Sequence, residues 1–214
     1  MRIALIGAGR MGTALARLMV EAGQDVVLSN SRGPASLTEL VADIGGGCTA
    51  ADVVTAVADA DVVVLATPWG KTHEAVASVP DWTGKVVIDA TNNRRAPGPD
   101  GLIDIGNQVS SEIVASYLPG AHLVKAFNVS PIPMMVAALG SNAGDNNAVF
   151  IAGDDADAKR LVAKLIASIG GEAVDTGDLH TGGRLQGVGG AVAGRLEALT
   201  PAEARQSVAQ ANNS

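Results

Sequence analysis

The chain has 214 residues, 47% of them hydrophobic and 2% aromatic, with a formal net charge of −7. This length suits one domain, or one domain with a small addition, and a core built from Ala, Val, Leu and Ile is typical of helices packed on a buried sheet. The acidic balance and the lack of a Lys/Arg run argue against nucleic-acid binding, and no later apolar run reaches the roughly 18 residues that a membrane span needs.

The N-terminal segment is apolar, but glycines and Arg10 interrupt it and no small-residue cleavage site follows. A strand followed by a turn explains it better than a leader peptide, so we expect a soluble, unprocessed protein. The single cysteine, Cys48, allows no internal disulfide, and no Cys/His pattern has metal-ligand spacing. We therefore expect a cytoplasmic location and no metal site.

Apolar runs alternate with helix-length segments along the chain, which predicts crossover connections and a parallel sheet. The first helix shows helical spacing in Met11, Ala14, Leu15, Leu18 and Met19, and the glycine of "EAGQ" ends it. The fold class is therefore α/β, a doubly wound parallel sheet. The predicted strands cover residues 2–6, 25–29, 61–66, 85–89, 122–127 and 148–152.

The last quarter of the chain is different in composition. A helix over residues 155–168 ends at Gly170 and Gly171, and glycines then crowd together in "HTGGRLQGVGGAVAG". Thr200 and Glu203 form a capping box with Pro201 at the first helical position, which predicts a short final helix before a frayed tail. We assign residues 1–152 to a dinucleotide-binding domain and 153–214 to a C-terminal portion that completes the substrate pocket.

A strand, three glycines at fixed offsets and a helix follow one another in "MRIALIGAGRMGTALARLMV". In this context GxGxxG is the dinucleotide-binding fingerprint of a Rossmann fold. Gly7 allows the tight turn, Gly9 lets a pyrophosphate approach the backbone, and Gly12 lets the helix pack on the strand. The N-terminus of the helix offers free N–H groups and a positive dipole end to the phosphates.

The second strand ends in "SNSR" without a carboxylate. A carboxylate would repel a 2′-phosphate, whereas hydroxyls, an amide and the fork of Arg32 can donate to it, so NADP(H) is favoured over NAD(H). The alternative is a polar strand-to-helix turn with Arg32 in solvent.

Three later strands end in "ATPW", "DATN" and "KAFN", and the carboxyl ends of parallel strands line the ligand cleft. Trp69 could stack on a ring there or serve as a surface or interface anchor. The predicted cofactor-binding residues are Gly7, Ala8, Gly9, Arg10, Met11, Gly12, Ser29, Asn30, Ser31, Arg32, Ala66, Thr67, Pro68, Trp69, Asn92 and Ala126.

With these segments the chain resembles the NADPH-dependent reductases of the deazaflavin coenzyme F-420, the F-420:NADP oxidoreductases. The similarity rests on "GAGRMG", "SNSR", "ATPW", "VVIDATN" and "VKAFN" and spans roughly residues 1–190. It implies a doubly wound NADP domain, a small C-terminal portion that helps to close the deazaflavin pocket, and F-420 as co-substrate.

Hydride transfer between two conjugated rings depends mainly on holding the reacting atoms about 3–3.5 Å apart. Asn128, Val129 and Pro131 are candidates for positioning the acceptor, and no residue is assigned as catalytic. Tyr117 stands at a predicted helix end with no Tyr-x-x-x-Lys, and each histidine is more typical of a surface or loop position. Lys125 is the best remaining proton donor.

The sequence thus predicts an oxidoreductase that moves hydride between NADP(H) and F-420 or a flavin-like acceptor. Two alternatives remain: a redox sensor that binds NADPH without catalysis, and a reductase of a small carbonyl or imine that takes its proton from Lys125 or from water. Only about 45 residues follow the late helix, too few for a long helical second domain. We therefore expect a homodimer in which a second subunit completes the pocket.

Overall fold

The computed structural model describes residues 1–95, 99–140 and 147–213. The strands are β1 (Arg2–Ile6), β2 (Asp25–Ser29), β3 (Cys48–Ala50), β4 (Val62–Leu65), β5 (Val86–Asp89), β6 (His122–Ala126), β7 (Asn147–Gly153) and β8 (Gly171–Asp175). The α-helices of the described ranges are α1 (Arg10–Glu21), α2 (Thr38–Ile44), α3 (Val53–Ala58), α4 (Thr72–Val76), α5 (Ser110–Ser116), α6 (Ile132–Ala138), α7 (Ala156–Ser168), α8 (Thr181–Gln186) and α9 (Pro201–Asn212). Short 3₁₀ helices cover Pro34–Leu37, Trp69–Lys71 and Pro99–Gly101.

All eight strands form one sheet in the order β3-β2-β1-β4-β5-β6-β7-β8. The strands from β1 to β6 pair in parallel, and the direction of the strand order reverses between β1 and β4. This is the doubly wound α/β architecture that the alternating pattern predicts. In such a sheet, ligands bind beyond the carboxyl ends of the strands at the point of reversal.

The sheet differs from the sequence prediction in two respects. One strand, β7, runs antiparallel to its neighbour, and two strands, β3 and β8, were not predicted. β7 runs antiparallel to β6, with Lys125 opposite Ala152, because the chain passes through the short α6 and re-enters the sheet from the same end. β3 is three residues long, and β8, at the sheet edge, is buried only at Gly171 and Val174, so neither has the continuous apolar run that identifies the inner strands.

Side chains of each inner strand alternate between two apolar layers. Ile3 and Leu5 face one core together with residues of α1 and α7. Ala4 and Ile6 face the other core, which α3, α4 and α5 cover. Both faces of the sheet are therefore buried, as a parallel sheet requires.

The C-terminal helix closes the sheet over β7 and β8. The predicted capping box is confirmed: Thr200 N donates to Glu203 Oε2 at 2.9 Å, and Glu203 N donates to Thr200 Oγ1 at 3.4 Å. The backbone N–H of Thr200 and its hydroxyl, which donates to Glu203 Oε2 at 2.8 Å, lower the pKa of the Glu203 carboxyl, with the backbone bond as the main cause. Ala204 and Val208 pack on Phe150 and on the apolar residues beside it. The helix reaches Asn212, so it is longer than the short helix expected.

Within the described ranges, no helix combines the length and the apolar composition that crossing a membrane requires.

Candidate functional site

The turn between β1 and α1 is built so tightly that two of its positions exclude any side chain. Gly7 has φ +110°, and its N–H donates to the carbonyl of Ser29 at 2.9 Å. A Cβ on Gly7 would lie 2.6 Å from the carbonyl oxygen of Ala66, and a Cβ on Gly12 would lie 1.8 Å from the carbonyl oxygen of Gly7. These two glycines hold the turn, α1 and the end of β4 together by backbone contact.

Gly9 has the opposite environment. A Cβ added there would meet no atom within 4 Å, so the backbone faces open space at the start of α1. No side chain caps this helix, and its first N–H groups have no intrahelical partner. Free N–H groups and the positive end of a 12-residue helix form a binding position for an anion such as a pyrophosphate.

The glycine turn opens into a cavity of about 530 Å³, which we call the first cavity. Two cations stand on its wall, Arg32 after β2 and Lys71 after β4, and Lys71 Nζ bonds to Glu74 Oε2 at 2.9 Å. The lining residues are Ile6, Gly7, Ala8, Gly9, Asn30, Ser31, Arg32, Val53, Ala66, Thr67, Pro68, Lys71, Glu74, Ala75 and Ser78.

Local hydrogen bonds set the direction of the segment that carries Arg32. Asn30 Oδ1 accepts from the backbone N–H of Arg32 at 2.9 Å, and Asn30 Nδ2 donates to Ser36 Oγ at 3.0 Å. The Asn30 side chain thus shapes the turn, while the Arg32 side chain is exposed on the cavity wall. Ser29, by contrast, is fully buried, and its hydroxyl donates to the Leu5 carbonyl at 3.4 Å.

A second cavity of about 810 Å³ lies beyond the ends of β4, β5 and β6. It shares Ala66, Thr67 and Pro68 with the first cavity, so the two are neighbours across one wall. The lining residues are Arg10, Met11, Ala66, Thr67, Pro68, Trp69, Ala90, Thr91, Asn92, Arg94, Arg95, Asn128, Val129, Ser130, Pro131, Ile132, Pro133, Val188, Gly189, Ala193 and Gly194.

An amide network fixes the wall of the second cavity. Asn92 Nδ2 donates to the carbonyl of Asn128 at 2.8 Å, while Asn128 Nδ2 donates to Asn92 Oδ1 at 3.2 Å and to the Gln186 carbonyl at 2.8 Å. Phe127, just before Asn128, has φ +63°, a left-handed conformation that turns the chain sharply at the end of β6. The amide nitrogen of Asn128 is thus occupied by protein acceptors, and Asn128 Oδ1 has no partner among the described residues.

Lys125 lies beneath this wall and does not line either cavity. Its side chain and that of Asp89 are both 0% exposed, and Lys125 Nζ donates to Asp89 Oδ2 at 3.0 Å and to the Thr91 carbonyl at 3.1 Å. Asp89 Oδ1 in turn accepts from the backbone N–H and the hydroxyl of Thr91 at 2.9 and 2.6 Å. A buried pair with its hydrogen bonds satisfied in this way holds the Thr91–Asn92 segment in place.

The turn before α8 and the end of α8 position the glycine-rich wall of the second cavity. The hydroxyl and the backbone N–H of Thr181 donate to Asp178 Oδ1, both at 2.6 Å, and these bonds lower the pKa of the Asp178 carboxyl. α8 then ends at Gln186, whose carbonyl accepts from Asn128 as described above. The glycine-rich segment that follows α8 is thereby tied to β6.

Most predicted site residues lie on one of the two cavities. Gly12, Ser29, Lys125 and Ala126 do not line either of them; all four are buried and support the lining from behind. The histidines are outside both cavities: His73 contacts Tyr117, His122 faces Asp155, and His180 faces Glu112.

Sequence reasoning missed several lining residues. Arg94 and Arg95 directly follow the "DATN" segment and could have been found by extending it, and Lys71 similarly follows "ATPW". Val188, Gly189, Ala193 and Gly194 come from the glycine-rich segment, whose spacing carries no signal for a site.

The sheet is doubly wound, its first strand leads through a glycine turn into a helix, and cavities lie at the carboxyl ends of its strands. These features together are typical of a dinucleotide-binding protein. A model of the family described as NADP oxidoreductase, coenzyme F-420-dependent, matches residues 2–93. A solved structure of a hypothetical protein from Sinorhizobium meliloti is 38% identical, covers 92% of this chain and 94% of its own, and superposes with a TM-score of 0.82. The chain belongs to this family of NADP oxidoreductases.

Two further relatives widen the comparison. A protein from Arthrobacter sp. FB24, described as an F-420-dependent NADP reductase, is 26% identical over 85% of this chain and 86% of its own, with a TM-score of 0.72. The metalloreductase STEAP3 of Rattus norvegicus is 26% identical over 87% of this chain, which spans 36% of the length of that relative. By family, the chain is an oxidoreductase that binds NADP(H).

Proposed function

We propose that the protein transfers hydride between NADP(H) and a deazaflavin, coenzyme F-420, or a flavin-like ring. One observation carries the proposal: the second cavity adjoins the first across Ala66–Pro68, and its described lining contains no His, Tyr, Lys, Cys, Asp or Glu. A carbonyl substrate needs a placed proton donor, whereas a conjugated ring needs chiefly to be held in position.

The residues of the first cavity fit NADP(H). The open backbone at Gly9 and the uncapped start of α1 would hold the pyrophosphate, and Ser31 and Arg32 would hold the 2′-phosphate. Bound NADPH supplies the hydride. Ala66, Thr67 and Pro68 would then support the nicotinamide side, because they form the wall that the two cavities share.

The protein's own residues orient the acceptor and leave the proton to solvent. Asn92, Asn128, Val129 and Pro131 line the second cavity, and the hydrogen bonds between the Asn92 and Asn128 amides fix the wall against which a ring would lie. The accompanying proton comes from water, because the cavity is open. Lys125 acts in this proposal as a positioning residue under Thr91, since its ammonium is fully buried.

The family match and the Arthrobacter relative support a deazaflavin as the acceptor, since both carry the coenzyme in their descriptions. A location in the cytoplasm and a homodimer belong to the same proposal.

The test is spectrophotometric. The purified protein is mixed with NADPH, and oxidised F-420 or FMN is added in separate reactions while the absorbance of each chromophore is followed. Rapid loss of the F-420 absorbance with FMN unchanged is the expected result. If neither chromophore is reduced while NADPH still binds, hydride transfer to a flavin-like ring is wrong.

Two alternatives make different predictions in the same assay. A redox sensor would bind NADPH and show no turnover with a deazaflavin, a flavin or a ferric complex. A carbonyl or imine reductase that uses Lys125 would lose activity in Lys125→Ala and retain its NADPH affinity.

A further inference from the structure

The charge of the two cavities is opposite to that of the chain. The protein has 22 acidic and 15 basic residues, yet the described lining of both cavities includes a single carboxylate, Glu74, which is bonded to Lys71. The second cavity has three arginines on its wall, Arg10, Arg94 and Arg95, and no carboxylate among its described lining residues. A cationic cavity on an acidic protein raises the local concentration of an anionic ligand.

The base of a loop holds two of these arginines at the cavity. Ile103 N donates to the Asn93 carbonyl at 2.8 Å, Asn93 Nδ2 donates to the Ile103 carbonyl at 2.8 Å, and Arg95 N donates to the Gly101 carbonyl at 2.7 Å. Asn93 is only 6% exposed, so this base is anchored in the protein. Arg94 is half-buried and Arg95 is exposed, each at the second cavity.

The phosphates of the dinucleotide already have their own donors. Arg10 stands at the first turn of α1 beside Gly9, and Arg32 stands on the first cavity. Arg94 and Arg95 follow β5 and do not line the first cavity. Both residues therefore line the space that remains for the second substrate.

We propose that Arg94 and Arg95 form an anion subsite, so that the hydride acceptor carries a phosphate or carboxylate group away from its reacting ring. This inference rests on the proposed function, because it assigns the second cavity to the acceptor. Arginine forks match the oxygens of both groups, and the subsite holds the charged end while the ring lies along the wall of Asn92 and Asn128.

The test measures binding separately from catalysis. The NADP⁺-loaded protein, which has no hydride to transfer, is titrated with F-420 and with the same deazaflavin lacking its acidic side chain, and fluorescence gives each Kd. FMN and riboflavin, which differ by one phosphate, form a second pair. The variants are Arg94→Ala, Arg95→Ala and the double variant.

We expect each substitution to weaken binding of the anionic member of a pair about tenfold and to leave the neutral member unchanged, because one charge-assisted bond is lost. Raising the salt concentration should weaken binding of the anionic member alone. Arg160→Ala on α7, which removes the same charge from an exposed pair with Asp157 outside both cavities, is the matched control and should change neither Kd.

Equal Kd values within each pair, or an equal loss for charged and neutral ligands, would overturn the subsite. A loss of NADP⁺ affinity in the variants would also overturn it, because the pair would then serve the dinucleotide. Arg95 is exposed, so Arg95→Ala is expected to fold and decides the question if Arg94→Ala does not. If charge-selective binding is found without reduction by NADPH, the proposed function fails and the subsite is retained.

Discussion

Arg32 reaches the first cavity because its neighbours form a turn around Asn30 and leave the guanidinium at the cavity wall. Gly33, which follows with φ +82°, lets the chain turn into the Pro34–Leu37 helix without blocking that wall. The arginine side chain can then meet a 2′-phosphate with two parallel donors. NADPH has this phosphate and NADH lacks it.

Arg32→Ala should therefore weaken NADPH binding by about 1.5–3 kcal/mol and change NADH binding little, since a charge-assisted bond is lost only in the first case. Titration of each dinucleotide by fluorescence or calorimetry gives the two Kd values. Arg205→Ala on α9, where the arginine pairs with Glu172, is the control and should alter neither value. An equal loss for NADPH and NADH would show that Arg32 does not contact the 2′-phosphate.

Single residues of the site could be predicted where a short sequence motif contains them. The glycines and "SNSR" act within a few residues of each other, so their spacing alone indicates their role. Val188 and Gly189 come to the second cavity from the glycine-rich segment, which the bond of Asn128 Nδ2 to the Gln186 carbonyl holds beside the end of β6. Composition and periodicity carry no information on such contacts.

The glycines of the β1–turn–α1 unit have two different roles that the sequence motif does not distinguish. Gly12 allows close packing of the backbone, whereas Gly9 leaves open space at the start of α1. Gly12→Ala places a methyl group 1.8 Å from the backbone oxygen of Gly7, which cannot rotate away. We expect this variant to lose about 3 kcal/mol of unfolding free energy, because overpacking against backbone forces the helix to move. Urea denaturation measures the loss.

Gly9→Ala is the matched comparison in the same turn. Its backbone has φ −83°, which alanine adopts readily, and the added methyl group meets no protein atom within 4 Å. Stability should be nearly unchanged, whereas NADPH affinity should fall about tenfold because the methyl group occupies the space for the phosphates. Loss of stability in Gly9→Ala, or unchanged NADPH affinity, would contradict this division.

The strands that are completely buried could be predicted from the sequence. The inner strands of the sheet are buried on both faces and give continuous apolar runs, so their observed positions agree closely with the predicted ones. The direction of β7 is not encoded locally, because the same residues can pair with β6 either way and the connection decides. β3 and β8 lie at the two edges, where a strand needs few apolar residues.

The C-terminal segment packs on the rest of the described chain, because β8 joins the same sheet and α9 packs on it through Ala204 and Val208. A boundary at residue 152 stays a prediction. The segment between α8 and α9 contributes lining residues to the second cavity and carries Leu196, which is 68% exposed. With α6, this segment also encloses a small apolar cavity of about 50 Å³ lined by Met134 and Phe150.

We expect a second copy of the chain to cover the surface around Leu196, and a mass of about twice 21.4 kDa in light scattering at low concentration. Leu196→Glu should reduce the mass to that of the monomer, because a charge on a two-fold interface is buried twice without a partner. Val54→Glu on α3, where the valine is 40% exposed and away from this surface, is the control and should leave the mass unchanged. A monomer mass for the unmodified chain would exclude the dimer, and a dimer that tolerates Leu196→Glu would place its interface on another face.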